Sequence, residues 1–170
     1  MYDAFNYTFI ALIPKSDDPQ TFNDFRPISL CNCIYKIIAK IIVNHLKPIL
    51  SKFISHEQFA FLNHRKIHEV VGIAQEVLLS IKTKRLKAMI LNIDLAKAFD
   101  RTSWLYLRIL LTHLGFPFSF IQWIMCCITN VSYSVLINGT ASSFFHVERG
   151  LRQCYPLSPL LFLFVMEGLS

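Results

Sequence analysis

The sequence predicts an α+β fold in which helices pack on a small antiparallel sheet. Three observations lead to this prediction. Apolar residues recur at helical spacing over residues 28–50 and 69–86. Asn138 and Gly139, a strong hairpin signal, separate two strand-like segments. Ser158 and Pro159 open an almost wholly apolar segment, which is typical of a buried helix.

Length and composition favour one folded domain. The chain has 170 residues, 54% of them hydrophobic, and a formal net charge of +6. This charge favours a polyanionic partner such as nucleic acid. The five cysteines are odd in number and show no CxxC spacing, so that neither a disulfide framework nor a zinc site is expected. They are typical of buried thiols in a reducing compartment.

The uncharged segment 109–137 raises the alternative of a small membrane protein. It contains no Asp, Glu, Lys or Arg and is long enough for a transmembrane helix. However, Gly115 and Pro117 interrupt it, and Asn138 with Gly139 ends it as a hairpin turn would. Two helices followed by a strand explain this segment better. The N-terminus lacks a basic region ahead of its apolar residues and is not expected to be a signal peptide.

In the first half of the chain, residues 7–14 form a predicted strand, followed by a polar turn with Pro and Asp. Residues 28–50 then predict a helix, with Pro48 near its end or at a kink. Residues 69–86 predict a second helix with a basic tail. The apolar face of the first helix is predicted to consist of Ile34, Ile37, Ile38, Ile41 and Ile42, opposite Lys36 and Lys40.

In the second half, residues 88–93 predict a buried strand that ends at Asp94. Thr102 or Ser103 is placed to cap a helix that ends near Gly115, and residues 118–129 predict another helix. Residues 132–137 and 142–147 predict the two strands of the hairpin. Ser158 and Pro159 are predicted as the N-cap and first residue of the last helix.

Asp94 is the first candidate for chemistry, because a carboxylate at the end of an apolar segment needs partners, a metal or a proton. The alternative is a strand-end carboxylate that accepts hydrogen bonds from the following turn. Asp100 lies six residues further on. On one helix, the two side chains would point about 120° apart, so Asp100 is better interpreted as a helix-start residue.

Two further groups of residues are candidates for anion binding. Arg152 and Gln153 precede a helix start, where donors and the helix dipole favour anions. Lys15 and Arg26 flank a loop between two extended segments and could grip phosphates, although surface exposure is their ordinary role. The sequence shows no Ser-His-Asp set, glycine-rich phosphate loop or metal-spaced His cluster.

Six motifs occur in a fixed order along almost the whole chain: FIALIPK, FRPISL, EQFAFLNHRKI, ILNIDLAKAFD, LINGT and GLRQCYPLSPLLF. Together they resemble the reverse transcriptase domain of non-LTR, LINE-type retrotransposons. The resemblance implies a right-hand polymerase that performs RNA-directed DNA synthesis on an RNA template, with a DNA primer and dNTPs. It implies one partial domain over residues 1–170, with residues 1–87 mainly in the fingers and residues 88–170 in the first part of the palm.

The resemblance also implies a site with two Mg²⁺ ions. Asp94 corresponds to the catalytic carboxylate that binds both metals, and Leu95 offers its backbone carbonyl to one of them. Phe99 resembles the steric gate against a ribose 2′-hydroxyl. Lys15 and Arg26 resemble the residues that hold the triphosphate. The remaining implied contact is that of Gln153 to the incoming nucleotide. Independently of the resemblance, the basic residues Arg65, Lys82, Lys84, Arg85 and Lys87 are candidates for contact with nucleic acid, although a solvated helix end is the ordinary role of the cluster at 82–87.

Several positions depart from the family pattern, which reads R-Q-G-D-P-L-S-P in the last motif. Cys154 replaces the glycine, Tyr155 replaces the acidic residue, and His64 stands where glycine is usual. The chain ends before the family's F/Y-A-D-D hairpin, which supplies further carboxylates. We therefore expect no polymerase activity from this chain alone, and an exposed apolar surface on the helix over residues 159–169.

A non-catalytic nucleic-acid-binding remnant that uses the basic residues remains an alternative to the enzyme. The sequence is compatible with either, because the family is an RNA-directed DNA polymerase and the second carboxylate motif is not in this chain. The resemblance implies an intracellular location, either nuclear or cytoplasmic.

Overall fold

The computed structural model describes residues 6–50, 52–55, 58 and 67–169. Its strands are β1 (Tyr7–Pro14), β2 (Phe25–Cys31), β3 (Ser132–Ile137), β4 (Thr140–Ala141) and β5 (Phe145–His146). Its helices are α1 (Cys33–Leu50), α2 (Ile67–Thr83), α3 (Ala98–Arg101), α4 (Trp104–His113), α5 (Phe118–Thr129) and α6 (Ser158–Glu167). The predicted α+β class is confirmed.

The strands form one sheet in the order β2-β1-β3-β4, with β5 also paired to β3. β1 and β2 are antiparallel. A hydrogen bond from the Lys15 N–H to Asp24 O (2.8 Å) closes the loop between them. β1 and β3 are parallel, with Tyr7 opposite Ser132. The sheet is therefore mixed rather than antiparallel, because the helices between β1 and β3 return the chain to the same end of the sheet.

The hairpin after β3 contains a bulge. Asn138 and Gly139 make its turn, both with positive φ (49° and 79°), as the Asn-Gly signal predicts. Leu136 pairs with Ala141, but Tyr133 pairs with Phe145. Two residues of β3 thus face three of the returning strand, which is the definition of a β-bulge. Of the predicted second strand over residues 142–147, only Phe145 and His146 form a strand (β5), and β4 lies just before that range.

Helix α1 turns only part of the predicted face to the core, since Ile42 is buried and Ile38 packs against the core while the other predicted isoleucines are exposed. Its buried residues include Tyr35, Ala39 and Leu46, whereas Ile37 is 60% exposed. Apolar residues of several types, and not the isoleucines alone, surround more than half of this helix, so that the apolar pattern alone does not select one face. The full buried set of α1 is Tyr35, Ala39, Ile42, Val43, Leu46 and Leu50.

The core lies between α1, α4, α5 and α6. Phe53, Phe116 and Phe164 form an aromatic group in it, with ring centroids 5.2–6.4 Å apart and the Phe116 and Phe164 rings edge to face. Most of α6 is buried, so the expectation of an exposed apolar surface on this helix was wrong. Its N-cap is Leu157 and not Ser158, whose buried hydroxyl has no partner among the described residues.

The segment 88–93 is not a strand, contrary to prediction, and its apolar side chains face solvent. Met89 is 89% exposed and Leu91 is 74% exposed. A strand requires a neighbour for its backbone hydrogen bonds, and no described residue pairs with this segment. Helix α2, which precedes it, forms as predicted, yet its apolar stripe is also exposed.

The long uncharged segment 109–137 is divided among α4, α5 and β3. Ser103 caps α4 by accepting a hydrogen bond from the Tyr106 N–H (3.3 Å), as predicted. Gly115, with φ of 78°, follows its end. In the part of the chain that the structure describes, no helix has both the length and the apolarity needed to cross a membrane. All five cysteines are free thiols.

Candidate active site

Two loops that are distant in sequence are joined by backbone hydrogen bonds. The Leu151 N–H donates to Phe99 O and the Gly150 N–H donates to Thr102 O, both at 2.8 Å. The indole of Trp104 donates to Gly150 O at 2.7 Å. Gly150 has φ of 100°, and a Cβ on it would lie 3.0 Å from Asp100 O. Only glycine fits this approach without strain, and the contact fixes residues 150–153 beside α3.

Gln153 and Asp100 meet where these loops join. The Gln153 side-chain amide donates to Asp100 Oδ1 over 3.4 Å. The interpretation of Asp100 as the residue that starts the following helix is wrong, because it lies within α3 and Ser103 caps α4. Cys154, which follows Gln153, is exposed and has φ of 63°. Glycine adopts this backbone conformation more readily than cysteine does.

Leu95, Phe99 and Gln153 line one depression of about 440 Å³. The ring of Phe99 stacks on Phe162 of α6, with centroids 5.0 Å apart and an interplanar angle of 22°. This contact holds the Phe99 ring against the core, and the ring also lines the depression. Three of the residues that the family resemblance implies are thus brought together.

Asp94 faces a neighbouring cavity of about 510 Å³, which Leu95, Arg101 and Tyr106 also line. Its side chain is exposed. The segment before it is not a strand, so that the alternative of a strand-end carboxylate does not apply. Leu95 and Ala98 line both the cavity and the depression, so that the two adjoin next to Asp94 in the sequence.

Lys97, in the segment that follows Asp94, reaches the β1–β2 loop that carries Lys15. The ammonium of Lys15 donates to Asn23 O (2.6 Å), and the ammonium of Lys97 donates to Asn23 Oδ1 (3.2 Å). Asn23 therefore draws two cations together. A hydrogen bond from the Thr21 backbone, followed by its hydroxyl, lowers the pKa of the adjacent Asp24. Arg26 is exposed on β2, opposite Ile13.

The donors available to a metal are oxygens. Within the described ranges, no group of three or more His, Cys, Asp and Glu side chains is placed to hold a metal ion. Asp94 and the backbone carbonyl of Leu95 are hard oxygen donors, which suit Mg²⁺. Mg²⁺ usually keeps several waters and takes one or two carboxylates together with substrate phosphates. The residues present fit an ion of this kind, held jointly with a nucleotide.

The predicted nucleic-acid contacts lie away from the depression. Lys82, Lys84, Arg85 and Lys87 are exposed at the end of α2. Arg85, with φ of 51°, ends the helical hydrogen bonding there. None of these four lines the depression or the Asp94 cavity. Arg65 and the His64 departure lie outside the described residues.

Sequence reasoning missed two residues of the site, Lys97 and Asn23, and assigned the wrong role to a third, Arg152. Lys97 lies within the ILNIDLAKAFD motif, and its charge beside Asp94 was the available signal. Asn23 had no signal in the sequence. Arg152 was grouped with the anion-binding loop, but its guanidinium is buried in the protein, where it contacts Asn6, Thr8 and Cys127.

A model of the family described as reverse transcriptase (RNA-dependent DNA polymerase) matches residues 13–170. This chain belongs to the reverse transcriptase family. The resemblance to reverse transcriptases of non-LTR, LINE-type retrotransposons is thereby confirmed. The family consists of nucleotidyltransferases that generally use divalent metal, and it implies a nucleic-acid template and primer.

Curated relatives agree with this assignment. The transposon TX1 uncharacterized 149 kDa protein of Xenopus laevis is 30% identical over 158 residues, which are 93% of this chain and 12% of that protein. The Pol polyprotein of the type-2 retrotransposable element R2DM of Drosophila melanogaster is 29% identical, covering 92% of this chain and 15% of the polyprotein. A type-1 element R2 polyprotein of Nasonia vitripennis is 31% identical with the same coverage. The chain thus spans a small part of each relative.

Proposed function

We propose that this chain forms the incoming-nucleotide side of a reverse transcriptase active site. The observation that supports this best is the pair of joined loops, because it gives Leu95, Phe99 and Gln153 a common depression. Residues 1–87 would form mainly the fingers, and residues 88–170 the first part of the palm. The sheet crosses this boundary, since β1 pairs with β3, so that the two parts fold together.

In this proposal each residue has a defined role toward a dNTP. Lys15, Arg26 and Lys97 neutralise the triphosphate, and the link through Asn23 brings two of these cations to one place. Phe99 excludes a ribose 2′-hydroxyl with a ring that Phe162 holds in place. Gln153 contacts the nucleotide from the opposite loop.

Asp94 and the Leu95 carbonyl would hold Mg²⁺ together with the triphosphate. When bound, the metal would neutralise phosphate charge and favour ionisation of the primer 3′-hydroxyl. The protein's own residues align the nucleotide so that the primer oxygen bonds to the α-phosphorus as the bond to pyrophosphate breaks. Among the described residues, Asp94 is the single carboxylate that lines its cavity. We therefore propose that the isolated chain binds nucleotides without extending a primer.

Equilibrium binding of dNTPs and rNTPs to the purified chain with Mg²⁺ tests this function. The unmodified chain should prefer the dNTP. Phe99→Ala should reduce that preference about tenfold, an energy of about 1.4 kcal/mol. Asp94→Asn should remove the Mg²⁺ dependence of dNTP binding. Phe144→Ala, which removes an exposed aromatic side chain between β4 and β5, is the control and should change neither quantity. Equal binding of dNTPs and rNTPs by the unmodified chain would contradict the proposal.

The exposed basic stretch at the end of α2 supports a second function, the binding of nucleic acid without catalysis. Lys82, Lys84, Arg85 and Lys87 place four cations within six residues, which suits a phosphate backbone. Binding of an RNA–DNA hybrid should weaken as salt rises, and reversing these four charges should abolish it. Binding that persists after charge reversal would exclude this surface as the contact.

A further inference from the structure

Arg152 is a buried cation next to the nucleotide-binding candidate Gln153. It is only 4% exposed, whereas arginine is rarely buried without partners. Each of its terminal nitrogens has a partner. Nη1 donates to the hydroxyl of Thr8 (3.3 Å), and Nη2 donates to Asn6 Oδ1 (3.2 Å) and to the carbonyl of Cys127. These contacts connect the loop to the start of β1 and to the end of α5.

The partners of the guanidinium are neutral, and two of them are aromatic rings. Its central carbon lies 4.4 Å from the centroid of the Tyr155 ring and 5.9 Å from that of Tyr35. The Cys127 carbonyl is one of the last in α5, where the helix dipole favours a cation. Tyr155 stands where the family pattern has an acidic residue. In this chain the face of the Tyr155 ring thus contacts the guanidinium at the position where the family pattern has a carboxylate.

Arg152 and Tyr155 enclose the two residues between them. Tyr155 is 2% exposed and donates from its hydroxyl to Tyr35 O (3.3 Å). Gln153 is half-buried and Cys154 is exposed, so the chain leaves the core after Arg152 and returns to it at Tyr155. The stacked pair closes the base of this short loop, and the loop presents the Gln153 amide to Asp100.

We propose that Arg152, stacked on Tyr155, is a positioning residue that fixes Gln153 toward Asp100 and the Phe99 depression. This inference rests on the proposed function in one respect, namely that the ligand of Gln153 is a nucleotide. Arg152 acts through its fork of donors and its flat face, both of which lysine lacks. A lysine at this position would keep the charge but release the loop.

A double-mutant cycle on the full 170-residue chain tests this role. Arg152→Lys should weaken binding of a dNTP with Mg²⁺ about tenfold when Gln153 is present, and less than about twofold in a Gln153→Ala background. Arg149→Lys, an exposed arginine in the same loop, is the matched control and should have no effect in either background. An equal loss in both backgrounds would overturn the proposal, because it would show that Arg152 acts on stability alone.

A second measurement does not depend on nucleotide binding. In isotope-labelled protein, the side-chain amide of Gln153 should give a nuclear magnetic resonance signal that is shifted from those of exposed glutamines. Arg152→Lys should return it to the exposed position, and Arg149→Lys should not. If the unmodified chain binds no dNTP, the proposed function is wrong. The Gln153 amide signal then still tests whether Arg152 positions Gln153. An unchanged signal in Arg152→Lys would refute that role.

Two tyrosine variants answer the same question should Arg152→Lys fail to fold. Tyr155→Phe keeps the ring beneath the guanidinium and loses the hydroxyl, which hydrogen-bonds to Tyr35 O and to the Cys127 side chain. It should keep both the Gln153 signal and the dNTP affinity within about twofold. Tyr155→Leu removes the aromatic face and should lose both. The same result for the two variants would exclude the stacked pair as the device that positions Gln153.

Discussion

The ammonium of Lys97 donates to Asn23 Oδ1 over 3.2 Å, while Lys15 donates to the carbonyl oxygen of the same asparagine. The contact spans 74 positions of sequence and joins the β1–β2 loop to the segment that follows Asp94. Two like charges drawn to one neutral residue repel each other, and a polyphosphate would relieve that repulsion.

The first prediction concerns these two cations. Lys97→Ala and Lys15→Ala should each weaken dNTP binding about tenfold, and leave the affinity for the nucleoside without phosphates unchanged. Titration of both ligands by calorimetry measures the difference. Lys36→Ala, an exposed lysine on α1, is the control and should not alter either affinity. A similar loss for the nucleoside would show that the lysines do not act on the phosphates.

The second prediction concerns Cys154, whose φ of 63° favours glycine. Cys154→Gly should raise the free energy of unfolding by about 1 kcal/mol, because a side chain in the left-handed region is strained. The midpoint of urea denaturation measures it. Cys33→Gly makes the same substitution at the start of α1 and should lower stability instead, since glycine is unfavourable in helices. Loss of stability in both variants would refute the strain at position 154.

The third prediction compares two glycines. Gly150→Ala should destabilise the protein by about 2 kcal/mol or more, because its Cβ would meet Asp100 O at 3.0 Å and its φ is 100°. Gly72→Ala, in the exposed helix α2 with no atom near its Cβ, should be neutral or gain up to about 1 kcal/mol. Thermal denaturation of the two variants measures this difference. A neutral Gly150→Ala would show that the joined loops are not tightly packed.

The fourth prediction concerns alkaline pH. Burial raises the pKa of Tyr133 from 10.0 to about 12. A raised folded-state pKa means that its contribution to stability is complete below pH 10 and is lost as pH rises toward 12. Urea midpoints should therefore fall over this interval, and less steeply in Tyr133→Phe. Tyr155, whose pKa burial also raises, should account for part of the remaining slope. An identical slope in Tyr133→Phe would contradict this assignment.

The residues that end helices and make turns predicted the bounds of the elements beside them. The bounds of α5 and β3 agree with prediction, because proline, glycine and the Asn-Gly pair mark ends through their own backbone preferences. The segment 88–93 has strand composition but no partner among the described residues. Whether a strand forms depends on a second segment, and composition does not report that.

The sequence predicted which residues belong to the candidate site, but predicted less well which residues contact one another there. Leu95, Phe99 and Gln153 were found through motif resemblance, and the structure brings them together. Arg152 was not recognised as buried, because its partners Asn6 and Thr8 lie more than 140 positions away. A cation beside a helix start is usually exposed, and only the fold shows that this one points inward.

The parallel pairing of β1 with β3 bears on how the molecule is made. Tyr7 of β1 aligns with Ser132 of β3, 125 positions later, so that this part of the sheet has no partner until most of the chain has been synthesised. Contacts of such long sequence separation close large loops and fold slowly. During synthesis on the ribosome, the edge of β1 in the apolar β1–β2 hairpin would remain unpaired until β3 is made. Unpaired strand edges are prone to pair with the wrong strands.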